Sequence, residues 1–223
     1  GVNLTINEGE VMTLMGGSGS GKSVLLRGLI GLERPDSGSI FFHDEDITKL
    51  GEDELVNVRK RIAYVFQYGA LFDSLTVKEN LAYPLREHTE LTGDQIHKKG
   101  IETLSKLSLD GSEGLKPSDL SGGMQRRVGV ARSIIMDPEV ILYDEPTTGL
   151  DPYNTNQILK IILQLQKAGA TSVLVTHDMH AIFKVTDRVA FLRDGIIRTL
   201  GTSDDIEHTK DPVVKAFVHG ETP

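Results

Sequence analysis

The chain has 223 residues, 39% of them hydrophobic and 25% charged, which suits one buried core or a core with a lobe. A formal net charge of −8 argues against broad contact with nucleic acid or an anionic membrane surface, and a cysteine count of 0 excludes a disulfide framework and thiolate metal sites. No apolar run approaches the roughly 18 residues of a membrane span, and no secretory signal is visible.

The chain opens at Gly1 rather than Met and is read as a piece trimmed from a longer polypeptide. Leu4 to Ile6 and Glu10 to Met15 read as strands. The second runs into Gly16-Gly17-Ser18-Gly19-Ser20-Gly21-Lys22-Ser23, which fits G-x-x-x-x-G-K-[ST], and a helix starts at Val24. Strand, loop and helix together make a phosphate cradle. Glycines let backbone N–H groups converge on an anion, and the helix N-terminus adds positive potential. Lys22 then reaches the β- and γ-phosphates, and Ser23 offers a hydroxyl to Mg²⁺. A flexible Gly/Ser turn is the plain alternative.

Ile40 to Phe42 reads as a strand, and His43-Asp44-Glu45-Asp46 as a solvated acidic turn rather than a metal site. A helix is expected over about 52–59, ending in the basic cluster Arg59-Lys60-Arg61, which suits a helix C-terminus. The strand Ile62 to Phe66 delivers Gln67. Thr76 with Glu79 forms a capping box for a helix that should stop near Pro84. Thr92 with Gln95 opens a second helix to Leu107, and a third runs from Ser121 to Met136. Residues 76–136 are therefore nearly all helix inside an α/β pattern. With no flexible linker on either side, they read as an inserted lobe.

Val140-Ile141-Leu142-Tyr143 is a buried strand ending in Asp144-Glu145. Two carboxylates at a strand end suit a nucleotide hydrolase: Asp144 for Mg²⁺ and Glu145 to deprotonate the attacking water. Alone they would equally be an acid-capped strand exit. Leu120-Ser121-Gly122-Gly123 places two glycines at a helix start, a poor choice for stability but a second anion site. One nucleotide hardly needs two such sites in one subunit, so this one is expected to close over a nucleotide held by another copy. Asp151-Pro152 caps a helix. Thr171 to Val175 is a strand ending in Thr176-His177. Val189 to Leu192 and Ile196 to Thr199 form a hairpin around Asp194-Gly195, and Asp211 to Val218 reads as an amphipathic tail. By themselves, His177 is a plain strand-end histidine and Gln67 a polar loop residue.

Taken together, these stretches resemble the ATP-binding cassette of ABC transporters over nearly the whole chain. The phosphate loop, Gln67, Leu120-Ser121-Gly122-Gly123, Ile141 to Pro146, Gly149-Leu150-Asp151 and Thr176-His177-Asp178 stand in that family's order. The resemblance implies an α/β P-loop NTPase (RecA-like) core over 1–75 and 137–223, with a partial N-terminal β-subdomain and an inserted helical subdomain over 76–136. It implies an ATPase using ATP and Mg²⁺, working as a head-to-tail homodimer. Gly16, Gly17, Ser18, Gly19, Ser20, Gly21, Lys22, Ser23 and Val24 would hold the nucleotide. Ser121, Gly122, Gly123 and Asp151 would complete the site of the second copy. Catalysis would fall to Glu145, His177 and Gln67, and the metal to Ser23, Gln67 and Asp144.

A narrower resemblance, to the ATPases of Mla-type phospholipid transport systems, lies in Phe66 to Asp73, Asn80 to Thr89, Met124, Arg126-Arg127, Ala131-Arg132, and the tail Asp211-Pro212-Val213 with Phe217 and Gly220. It implies a permease dimer, a periplasmic MCE-domain lipid-binding protein, a STAS-type small subunit, no nucleic acid, and a peripheral place on the cytoplasmic face of the inner membrane. The alternatives are an ATPase of a small-solute importer, with identical catalytic residues, and a soluble non-transport ABC ATPase. The family's adenine-stacking aromatic lies upstream of the first strand, where this chain begins, and the narrower group carries a longer tail.

Overall fold

Residues 1–221 are described in the computed structural model. Its strands are β1 (Val11–Met15), β2 (Phe41–Phe42), β3 (Glu45–Asp46), β4 (Ile62–Val65), β5 (Val140–Asp144), β6 (Thr171–Val175), β7 (Arg188–Arg193) and β8 (Ile196–Gly201). Its helices are α1 (Lys22–Gly28), α2 (Glu52–Arg61), α3 (Val77–His88), α4 (Gly93–Lys106), α5 (Gly122–Ile134), α6 (Pro152–Lys167), α7 (Met179–Val185), α8 (Ser203–Glu207) and α9 (Pro212–Val218).

Six strands form one sheet in the order β4-β5-β6-β1-β7-β8, parallel except for the final β7–β8 pair, and β2 pairs only with β3. All five residues of β1 and of β6 are buried, the mark of parallel strands covered on both faces. Their side chains alternate between two cores. Met12, Leu14, Leu142 and Val173 meet Leu26 of α1 and Val58 of α2 on one face. Val11, Val65, Ile141 and Leu174 meet α6 on the other. The apolar stripes of α3, α4 and α5, including Leu81, Leu85, Leu104 and Val128, join that second cluster. The all-helical stretch thus shares buried surface with β4 and β5. No helix among the described residues is long and apolar enough to cross a membrane.

Parallel pairing has one decisive consequence. The carboxyl ends of β1, β4, β5 and β6 all lie along the same edge of the sheet, where ligands of open α/β sheets bind. The Gly16 loop, Gln67, Asp144-Glu145 and His177 each follow one of those ends.

Four local expectations are corrected. Leu4 to Ile6 is not a strand: Leu4 and Ile6 pack on the core, but their backbone has no ladder partner because β2 and β3 pair only with each other. The acidic run is half strand, Glu45–Asp46 forming β3 after a turn at His43 with φ 52°. α3 does not stop at Pro84 but continues to His88. An internal proline costs about 3 kcal/mol. Burying Leu85 just beyond it, 0% exposed, returns roughly 1.5–3 kcal/mol and offsets most of that cost. The short helices α7 and α8, of seven and five residues, were not expected.

Candidate active site

The phosphate loop is shaped by its glycines. A Cβ on Gly16 would collide with the carbonyl of Leu192 in β7, and Gly21 caps α1 at φ 97°, a left-handed conformation that glycine adopts freely. Lys22, in the first turn of α1, folds back so that Nζ donates to the carbonyls of Gly16 and Gly17, both at 2.9 Å. Burial pushes the Lys22 ammonium below its ordinary pKa, while Glu145 and Asp144 pull it back up. Ser20 Oγ is buried in the loop without a hydrogen-bond partner. A buried hydroxyl with nothing to bond suits a site meant for polar oxygens. Val24 is exposed beside the loop.

α1 packs across β6 and β5, so Ser23 reaches the end of the second strand over: Ser23 Oγ donates to Asp144 Oδ1 at 2.9 Å. Tyr64 of β4 donates its phenol to Asp144 Oδ2 at 2.8 Å. Burial, and then the Asp144 carboxylate, hold that phenol well above its usual pKa. Serine hydroxyl and carboxylate make an all-oxygen donor set of the kind Mg²⁺ takes. Gln67 sits half-buried in the turn after β4, and its side chain makes no hydrogen bond among the described residues.

Glu145 is held at both carboxylate oxygens. His177 Nδ1 lies 2.9 Å from Oε1, and Thr148 Oγ1 donates to Oε2 at 3.0 Å. A carboxylate only accepts, so the facing Nδ1 carries the hydrogen and Nε2 is left pointing elsewhere. Glu145 has φ 50°, and its N–H donates to Val175 O at 2.9 Å. The strand-end acids thus share one edge with Lys22, Ser23 and His177.

A second cluster forms at α5. Ser121 caps the helix by accepting from the Met124 N–H at 3.3 Å, and Gly122 is exposed. Gly123 is buried because the side chain of Asn154 occupies the space a Cβ would need. Asn154 in turn binds Asp151, which caps α6, and accepts from Arg127 at 3.1 Å. Ser121, Gly122, Gly123 and Asp151 therefore lie together. No hydrogen bond among the described residues ties Ser121 to the Gly16–Ser23 loop. Three residues at these sites were not anticipated, Tyr64, Thr148 and Asn154, and neither was the place of Arg126, whose guanidinium bonds the carbonyls of Glu145 and Thr148. Nothing in their spacing marks these places, and only the fold brings Tyr64 and Thr148 to the carboxylates, Asn154 to Gly123 and Arg126 to the carbonyls.

A family model described as "ABC transporter" matches residues 1–148. The intermembrane phospholipid transport ATP-binding protein MlaF of Escherichia coli is 40% identical over 220 residues, 98% of this chain and 82% of that protein. The methionine import ATP-binding protein MetN of Carboxydothermus hydrogenoformans is 41% identical over 223 residues, covering 98% of this chain and 65% of its own length. Among solved structures, the dimeric post-hydrolysis state of the ATP-binding cassette MJ0796 with ADP and Pi aligns at TM-score 0.84 and 35% identity, covering 91% of this chain and 89% of that one.

Proposed function

This chain belongs to the ABC transporter family, an ATPase on a P-loop α/β core, and from that premise we propose that it powers phospholipid movement between the inner and outer membranes of a diderm bacterium. The observation that carries the ATPase chemistry is the convergence of Ser23, Asp144, Glu145 and His177 on one sheet edge beside the loop. Backbone N–H groups of Gly16–Ser23 and Val24 cradle the phosphates, and Lys22 trades the loop carbonyls for phosphate oxygens. Ser23, Asp144 and Gln67 would hold Mg²⁺, whose chemistry there would be positive charge beside the phosphates. Glu145 takes a proton from the attacking water, and His177 bonds the γ-phosphate. Ser121, Gly122 and Gly123 of a second copy close over that phosphate, and Asp151 spans the dimer. The cassette relative solved as a dimer supports this arrangement.

Within the domain bounds 1–75 and 137–223, the described residues 137–221 complete the core begun by 1–75, and 76–136 form the lobe that passes closure to a permease dimer. The chain sits peripherally on the cytoplasmic face of the inner membrane through that permease. An MCE-domain lipid-binding protein and a STAS-type small subunit complete the assembly.

Whole-chain identity is equal toward the lipid and the methionine relatives, 40% and 41%, because both need the same ATP chemistry. The lipid reading therefore rests on Gln67 to Thr89, the stretch through α3 that leaves Tyr68 79% exposed. Purifying the complex from membranes tests it. An MCE-domain protein is the expected companion, and a solute-binding protein would replace lipid with a small solute.

A further inference from the structure

We propose that Arg126 is a positioning residue for Glu145: it clamps the turn that carries the base and ties that turn to α5. The inference rests on the reading of Glu145 as the base. Arg126 is 6% exposed, and a charge so deeply buried requires polar partners. Among the described residues no carboxylate pairs with it. Its Nη1 donates to the carbonyl of Glu145 at 3.4 Å and its Nη2 to the carbonyl of Thr148 at 3.2 Å. The two prongs of the guanidinium thus grip both ends of one turn.

That turn needs a grip. Glu145 has φ 50°, a conformation disfavoured for any residue with a Cβ, and such residues persist only where their surroundings over-determine them. The bonds that do so here include Glu145 N–H to Val175 O, the turn's own Thr148 N–H to Glu145 O at 3.3 Å, Thr148 Oγ1 to the Glu145 carboxylate, and the two from Arg126. Without Arg126, the turn keeps its Thr148 N–H to Glu145 O bond but loses its tie to α5, and the hydroxyl that orients Glu145 Oε2 is held less firmly. The guanidinium also lies 5.8 Å from the centre of the Tyr68 ring, next in the chain to Gln67. One side chain on α5 therefore touches both the base's turn and the loop that carries Gln67. A rotation of α5 reaches Glu145 through two hydrogen bonds. A lysine keeps the charge but lacks the fork that spans two carbonyls.

The test is steady-state ATP hydrolysis by the full chain carrying Arg126→Lys or Arg126→Gln, alongside thermal unfolding and ATP binding. The expected result is a kcat lower by about tenfold to a hundredfold with KM for ATP, ATP affinity and folding retained. In a Glu145→Gln background, Arg126→Gln should cause no further loss, because the group it positions is gone. Wild-type kcat in both variants overturns the proposal. So does an equal fold-loss in the Glu145→Gln background, or a loss of kcat accompanied by loss of the folded state and of ATP binding. Normal turnover by Glu145→Gln alone removes the base itself and this inference with it. An inactive Glu145→Gln beside wild-type Arg126 variants removes only Arg126.

Discussion

At the scale of single residues, Glu145 and Asp144 are adjacent carboxylates given different work by their neighbours. Asp144 faces two hydroxyls, Ser23 and Tyr64, whereas Glu145 faces His177 and Thr148. The first set suits a metal and the second suits a base. Replacing Glu145 with Gln keeps the shape and removes the proton acceptor. Turnover should fall by about 10²–10⁴-fold while ATP still binds and the closed dimer accumulates, as single-turnover hydrolysis and gel filtration with ATP would reveal. Tyr64→Phe deletes only the hydroxyl that orients Asp144. We expect the Mg²⁺ concentration for half-maximal activity to rise about tenfold, with nucleotide affinity in EDTA unchanged. An unaltered Mg²⁺ titration would leave Tyr64 with packing alone. Asp144 and Glu145 were legible in the sequence because an apolar strand announces them. Tyr64 was not, because inside Ile62–Val65 it looks like any aromatic strand residue, and only the pairing of β4 with β5 carries it to Asp144.

At the scale of elements, α5 is the crossing point. It bears Ser121 at its start, Arg126 one turn later and Gly129 one turn after that. A Cβ on Gly129 would stand 2.6 Å from Gly69 Cα and 3.0 Å from Gly69 O, in the segment just after Gln67. Gly129→Ala sets two effects against each other. Alanine in a helix interior gains about 1 kcal/mol over glycine, and overpacking against backbone costs about 1–3 kcal/mol. The contact is with main chain at φ 75° rather than with a side chain that can swing aside, so overpacking should win. Urea unfolding is expected to show a net loss of about 1 kcal/mol; a gain would mean the Gln67 segment yields freely. Asn80 fastens the far end of the same segment. Fully buried, it bonds both the N–H and the carbonyl of Phe72 and the carbonyls of Leu75 and Thr76.

At the scale of the whole molecule, the Gly16–Ser23 loop and the Ser121–Gly123 cluster belong to different helices, and no hydrogen bond among the described residues joins them, as the proposed closure by a second copy requires. Ser121→Arg puts a bulky cation at the exposed start of α5. Hydrolysis should disappear while ATP affinity of the monomer stays unchanged, measured by titration of a fluorescent ATP analogue. Activity at the wild-type level would sink the head-to-tail arrangement. The small hairpin β2–β3 is fixed to the main sheet by a different device. Arg61 and His43 both bond Glu139, just before β5, and the Arg61 guanidinium stacks 4.6 Å from the centre of the Phe42 ring. The Arg61 hydrogen bonds first, and then His43, hold the Glu139 carboxyl at a pKa of about 2, below its ordinary 4.5. Its stabilisation is therefore complete above the ordinary value and is lost as pH falls toward about 2. The side chain is 46% exposed, so solvent screening limits the gain to about 1 kcal/mol or less. Glu139→Gln should be slightly less stable than the wild type at neutral pH, and the gap should close on acidification. A gap that persists in acid would assign the effect to packing.

The sequence by itself determined the chemistry carried by local pattern. The phosphate loop, the strand-end acids, the capped helices at Thr76, Thr92 and Asp151, and the Asp194-Gly195 hairpin all follow from residues close in the chain. Their backbone and caps are fixed by neighbours three or four positions away, and such information is written in order. The tertiary structure decided what depends on which strands are neighbours. Placing β6 between β5 and β1 lets α1 hand Ser23 to Asp144, 121 residues apart in sequence. The same fold let α3 run through Pro84, because burial of Leu85 offsets most of the proline's cost. It left Leu4 to Ile6 without a ladder, and it brought Tyr64 to the Asp144 carboxylate and Arg126 to the main-chain carbonyls of Glu145 and Thr148. Each of these rests on burial or on a hydrogen bond between segments distant in sequence, and no periodicity within one segment encodes its partner.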